Sequence, residues 1–361
     1  MRPVHWLGVF IPVAIALELA HAGPVLVFGA AALGVIPCAA VMGEATEAIA
    51  ARTGPGIGGL LNVTFGNAPE LIIAFFALIE GLQEVVKASI VGSIIGNVLL
   101  VLGAAMLVGG WSREKQTFSR TAANAQSAML MLALAALIAP AVFQLIHGGG
   151  LPRVAEDRVD FGSELEKLSL GVSLVLLASY AAGLWFSLRT HRAVFNPFGD
   201  ETEEEEAHHW SVRRAASYLA LSAVAVGVMS EILVGSISEA SEDIGLSQFF
   251  VGVFVVAIVG NAAEHWVAVL VAAKDKMDLA VNIALGSSAQ IALFVAPVLV
   301  LLSFLIGPDP MALVFNGYEL AALLFAVLIA NLVTQEGESN WFEGVQLLSL
   351  YAVFGLVFYF A

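Results

Sequence analysis

Charge is scarce in this sequence. Only 12% of its 361 residues are Asp, Glu, Lys or Arg, whereas a soluble domain carries about a quarter. The net charge is −15 and no basic patch occurs, which excludes a nucleic-acid partner. Cysteine is nearly absent: Cys38 stands alone, so no internal disulfide framework exists. In its apolar run Cys38 reads as a small packing residue. Neither H-E-x-x-H nor G-x-S-x-G occurs, so two signatures of hydrolytic sites are missing and no enzyme activity is expected.

What is plentiful is apolar sequence. The chain is 59% hydrophobic, and runs of about 20 apolar residues, enough to cross a bilayer, recur along it. Eleven spans are expected, near 4–21, 24–51, 57–80, 84–108, 121–146, 168–190, 212–236, 247–273, 278–306, 311–333 and 341–360. Lipid offers no partner for free backbone groups, so each span must be a helix or part of a closed barrel. The runs are too long and too uniformly apolar for barrel strands. The expected fold is an all-α polytopic membrane protein with eleven transmembrane helices. Arg2, an apolar run and Ala20-His21-Ala22 imitate a cleaved signal. Glu18 fits an h-region poorly, so the segment is expected to stay as the first helix.

Lys and Arg set the expected orientation. The N-terminal face carries Arg2, Arg52, Arg113, Lys115, Arg120, Arg189, Arg192, Arg213, Arg214, Lys274 and Lys276. The other face carries Lys87, Arg153, Arg158 and Lys167. Eleven against four places the N-terminus inside. With no obvious targeting extension in the sequence, a prokaryotic plasma membrane is expected. Residues 196–210 hold Asp200-Glu201-Thr202-Glu203-Glu204-Glu205-Glu206, then His208 and His209. They read as a solvated cytosolic linker, with a low-affinity cation sensor as the alternative.

The chain also repeats itself. Gly66-Asn67-Ala68-Pro69-Glu70 matches Gly260-Asn261-Ala262-Ala263-Glu264 at four of five positions, at an offset of 194. Gly92-Ser93 falls on Gly286-Ser287 at the same offset, and Glu44-Ala45-Thr46-Glu47 on Glu239-Ala240-Ser241-Glu242 at 195. Residues 1–22 stand outside as an extra N-terminal helix, with repeats at 23–195 and 211–361. Each repeat holds five spans, an odd number, so the halves are inverted, the arrangement of secondary transporters with a midplane site on interrupted helices.

Asn67 and Glu70 are three apart, as are Asn261 and Glu264, so each pair shares a helix face. Gly66 and Pro69 are expected to loosen the third helix and Gly260 the eighth. Freed carbonyls, two amides and two carboxylates make a hard-oxygen set that favours Ca²⁺, with Mn²⁺ or Mg²⁺ as alternatives. Two carboxylates about 5 Å apart repel by roughly 3 kcal/mol at an effective dielectric near 20. An empty pair therefore takes up a proton, and a divalent cation displaces it. His265 has two readings, a helix-packing hydrogen bonder or an aid to proton movement. Glu44, Glu47, Glu239 and Glu242 read either as acidic mouths that draw cations in or as ordinary helix-end charges. Ser93, Asn97, Ser287 and Gln290 flank the motifs and are set beside Gly66 and Gly260 as lining residues. Gly92-x-x-x-Gly96 suits close helix packing, inside the chain or between copies of it.

These motifs, GNAPELI, GNAAEHW, GSIIGN and GSSAQIALF, resemble those of the calcium/proton exchangers of the cation/Ca²⁺ exchanger superfamily, over nearly the whole chain. The resemblance implies that Glu70 and Glu264 are the central cation ligands, that Asn67 and Asn261 assist them, and that His265 matches a family histidine. It further implies that spans two and seven slide to alternate access. Pro69 departs from many members but leaves Glu70 in place. The expected function is Ca²⁺/H⁺ antiport, with Ca²⁺ as cargo and no cofactor. A sodium/calcium exchanger of the same superfamily is the nearest alternative, and a cation channel a more distant one. The sodium exchangers carry Gly-Thr-Ser-type motifs where this chain has Gly-Asn-Ala.

Overall fold

The computed structural model describes residues 3–154, 162–190 and 210–361. The acidic segment from Asp200 to His209 lies outside the described residues, as does Arg158. Among the described residues the chain is helical apart from one two-residue strand pair, Gln116–Thr117 with Glu338–Ser339. The helices are α1 (Val4–Leu19), α2 (Pro24–Gly66), α3 (Ala68–Ile79), α4 (Gln83–Gly110), α5 (Arg120–Ile146), α6 (Ser163–Thr190), α7 (Val212–Ile244), α8 (Gln248–Ala273), α9 (Met277–Ser303), α10 (Gly317–Thr334) and α11 (Trp341–Tyr359). Nine of them are long and apolar enough to cross a membrane among the described residues, while α1 and α3 are shorter apolar helices.

The second and third expected spans do not separate where the sequence suggested. Helix α2 runs without a break from Pro24 to Gly66, straight through the glycine-rich 54–59 stretch. An apolar environment gives the backbone no other hydrogen-bond partners, so the helix continues despite its weak formers. The break comes at Asn67 (φ −97°, ψ 17°). Pro69 then lies in the first turn of α3, where its missing N–H is not needed, so it starts a helix instead of kinking one.

Gly260 also differs from expectation. It lies inside the regular α-helical stretch Ala257–Ala273, and the irregular turn of α8 is a π segment just before it, Val251–Val256. Helices α4 and α9 carry π segments at Gly96–Val101 and Ile291–Val295. Their starts are 291 − 96 = 195 residues apart, the same offset as the acidic pairs.

The described chain forms two compact units. The first comprises Met1–Phe76, Ala181–Leu246 and Val259–Ala263. Its long helices α2 and α7 pack along each other, and α1 packs on both. Gly34 allows the close approach, since a Cβ there would stand 2.8 Å from Met229 Sδ. The second unit comprises Ala77–Tyr180, Ser247–Ile258 and Glu264–Ala361. Its centre is α4, against which α8 packs so tightly that a Cβ on Gly92 would overlap the Val253 backbone. The Gly92 side of the small-residue pair is therefore used in packing within the chain.

Lys87, placed at the outer face by the sequence, is instead buried in α4 at 1% exposure. Its ammonium pairs with Glu84 and donates to the Val314 carbonyl at 2.8 Å. Glu319, also fully buried, is in electrostatic range of both and closes a capping box with Asn316 at the start of α10. The extended, buried stretch from Met311 to Phe315 is held by donors and acceptors from its surroundings. Met311 N–H donates to Ser303 Oγ, Leu313 N–H to Ser169 Oγ, and Lys87 caps Val314.

Candidate functional site

In the first unit the helix break at Asn67 places Glu70 in the opening turn of α3. Asn67 is buried at 1% exposure, and Glu70 is half-buried. The Glu70 side chain lies against Gly260: a Cβ there would stand 3.1 Å from Glu70 Cγ and 3.6 Å from Oε1. Gly260 thus acts here by lacking a side chain, not by breaking its helix. Asn261, the next residue, is buried as deeply as Asn67. The first motif's carboxylate and the second motif's glycine and amide therefore belong to one packed unit. Gly66 ends α2 immediately before the break.

In the second unit Glu264 is half-buried on α8 and accepts a 2.6 Å hydrogen bond from Ser287 Oγ on α9. The serine of the repeated Gly-Ser pair is thus a direct partner of the motif carboxylate. A hydroxyl donor to a carboxylate stabilises its charge in a setting that offers little water. His265 turns away from Glu264's partner and contacts Asn97 Oδ1 through Nε2 at 3.0 Å. Asn97 is the second residue of the π-helical part of α4, is 1% exposed, and its Nδ2 is buried without a hydrogen-bond partner among the described residues. Ser93 is buried one turn before it, and Gln290 is half-buried at the end of the regular part of α9.

The acidic pairs divide. Glu44 is half-buried, with Oε1 3.6 Å from His5 Nε2 of the N-terminal helical segment. It lies twenty residues into α2, about 30 Å from its start and so one hydrocarbon thickness away. Glu47, Glu239 and Glu242 are exposed. Sequence reasoning missed the Lys87–Glu84–Glu319 cluster, although Glu84 and Lys87 at i and i+3 and Asn316-x-x-Glu319 were visible signals. It also missed Gln126 of α5, whose amide donates to Asn282 Oδ1 of α9.

Carboxylates and amides inside apolar helices define an ion-handling membrane protein. The sequence profile of the sodium/calcium exchanger protein family matches residues 23–189 and 214–360. A Ca²⁺/H⁺ antiporter of Synechocystis sp. is 44% identical over 98% of this chain and 95% of its own length. The Ca²⁺/H⁺ antiporter ChaA of Bacillus subtilis is 43% identical over 97% of this chain and 96% of its own. The solved structure of native YfkE matches with a TM-score of 0.82 at 38% identity, covering 98% of both chains. The crystal structure of an H⁺/Ca²⁺ exchanger, CAX, matches with a TM-score of 0.71 over 99% of this chain and 91% of its own, and at 13% identity it speaks for the fold alone. The chain belongs to the calcium/proton exchanger family of the cation/Ca²⁺ exchanger superfamily.

Proposed function

We propose that this protein is a Ca²⁺/H⁺ antiporter in which Glu70 and Glu264 share one divalent cation and release protons when it binds. The observation that carries this reading is the position of Gly260. Glu70's carboxyl group lies against Gly260, the glycine of the second motif, which carries Glu264 four residues on in sequence. Two carboxylates that share a site hold a proton or a cation between them, because bare like charges about 5 Å apart repel by roughly 3 kcal/mol at an effective dielectric near 20. The hard-oxygen set of Glu70, Glu264, Asn67 and Asn261 suits Ca²⁺. Ser287 orients Glu264, and His265, one residue further along α8, contacts Asn97 of α4.

Alternating access requires two inverted halves, here residues 23–195 and 211–361, with eleven spans in all and the N-terminus at the inner face. The matched π segments of α4 and α9 support the repeat. Residues 196–210 serve as the linker. Names of the relatives at 43–44% identity support Ca²⁺ and H⁺ as the exchanged ions. The test is Ca²⁺ uptake into vesicles driven by a pH gradient in sodium-free buffer. Uptake under those conditions supports proton coupling, and uptake that requires sodium overturns it in favour of a sodium exchanger.

A further inference from the structure

Helix α9 has an accessible polar stripe along its first four turns, with half-buried Leu279 and Ile283 beside it. Asp278, Asn282, Gly286 and Gln290 recur at every fourth position, and each is exposed or half-buried. Ala280, Val281, Ala284, Leu285, Ser288 and Ala289 on its other faces are buried. An accessible stripe that faced lipid would be apolar, whereas polar groups within a span face the protein interior or water. A second observation comes from α5. Gln126 is 8% exposed, donates to Asn282 Oδ1, and keeps Oε1 buried without a hydrogen-bond partner. Its Nε2 is 3.5 Å from where a Cβ on Gly286 would stand, so this amide is aimed into the stripe. Ser287, adjacent to Gly286, donates to Glu264.

The corresponding stripe on α4 is different. At the 194-residue offset its members are Glu84, Ala88, Gly92 and Gly96, and all four are buried. Gly92 meets the Val253 backbone, and a Cβ on Gly252 would lie 3.0 Å from Ala88 Cβ. The α9 positions are accessible where their α4 counterparts are buried in packing.

We infer that the Asp278–Asn282–Gly286–Gln290 stripe, with Gln126 as its side wall, is the route by which cations and protons reach Glu264 from the face bearing residues 274–276. The stripe is about 18 Å long, with a carboxylate at its mouth and amides along it, ligands that replace part of the hydration shell of a moving hard cation. The route rests on the antiport reading, and it deepens that reading by adding Gln126 and Asn282 to the residues that handle the ion.

The single native cysteine makes the test direct. In a Cys38→Ala background, Asn282→Cys and Gly286→Cys are treated with a charged, membrane-impermeant methanethiosulfonate from each face, with Lys276→Cys marking the side. The expected result is modification of both positions from the Lys276 face alone, with Ca²⁺ uptake falling at least tenfold against the same variant unmodified. Ala88→Cys is expected to stay unmodified from that face. Failure of Asn282→Cys and Gly286→Cys to react from either face would mean that the stripe meets lipid, and would overturn the route. Modification without loss of uptake would make it a blind crevice and overturn it equally. Normal uptake by Glu264→Gln, alongside a blocked Asn282→Cys, would refute the shared-carboxylate site and leave the route standing.

Discussion

Two side chains outside the paired glutamates carry the clearest consequences of single substitutions. Ser287 supplies a 2.6 Å hydrogen bond to Glu264, and a hydrogen bond to a charged group contributes about 1.5–3 kcal/mol. Ser287→Ala should therefore weaken Ca²⁺ binding by about tenfold or more, read by calorimetric titration. Lys87 behaves oppositely. It is the one cation of a buried cluster with two carboxylates, and removing one partner of a buried pair costs about 3–5 kcal/mol. Lys87→Met should lower the unfolding midpoint in detergent sharply, and adding Glu84→Gln should restore much of the loss. At this scale the sequence was legible wherever duplication marked a residue. Glu70, Glu264, Asn67 and Asn261 stand out because each has a mate 194 residues away. Lys87 was counted only as a charge of the outer face; its partner Glu84 is three residues away, but Glu319 lies 232 residues off in sequence (319 − 87), and only packing completes the cluster.

Among elements, the glycines of the two halves do different work. A Cβ on Gly260 would stand 3.1 Å from Glu70 Cγ, a flexible side chain that can shift by a few tenths of an ångström. Gly260→Ala should leave the fold intact and weaken Ca²⁺ binding by moving a carboxylate. A Cβ on Gly92 would overlap the backbone of Val253, which cannot yield without parting α4 from α8. Gly92→Ala should destabilise the protein by about 1–3 kcal/mol, as overpacked cores do, seen as a lower midpoint in thermal unfolding. Helix boundaries were the poorly legible part. The break expected between 51 and 57 does not occur, and α2 continues to Gly66 because a chain out of water keeps its backbone bonds internal. The π segments at 96–101, 251–256 and 291–295 left no sequence signal, since one extra residue in a turn is decided by packing and not by side-chain type.

For the whole molecule, the central claim is that Ca²⁺ and protons compete for one pair of carboxylates. Metal ligands must shed their protons to bind, so affinity rises with pH by about tenfold per unit for each proton displaced. Under the proposed inverted arrangement that single pair would serve both faces in turn, and each half would then have to carry a carboxylate that the other cannot replace. The most direct measurement is Ca²⁺ binding by isothermal titration across pH on the parent protein, Glu70→Gln and Glu264→Gln. Competition predicts parent affinity that climbs with pH and near-complete loss of binding in both variants. Affinity that ignores pH, or a glutamine variant that binds Ca²⁺ as the parent does, would contradict it.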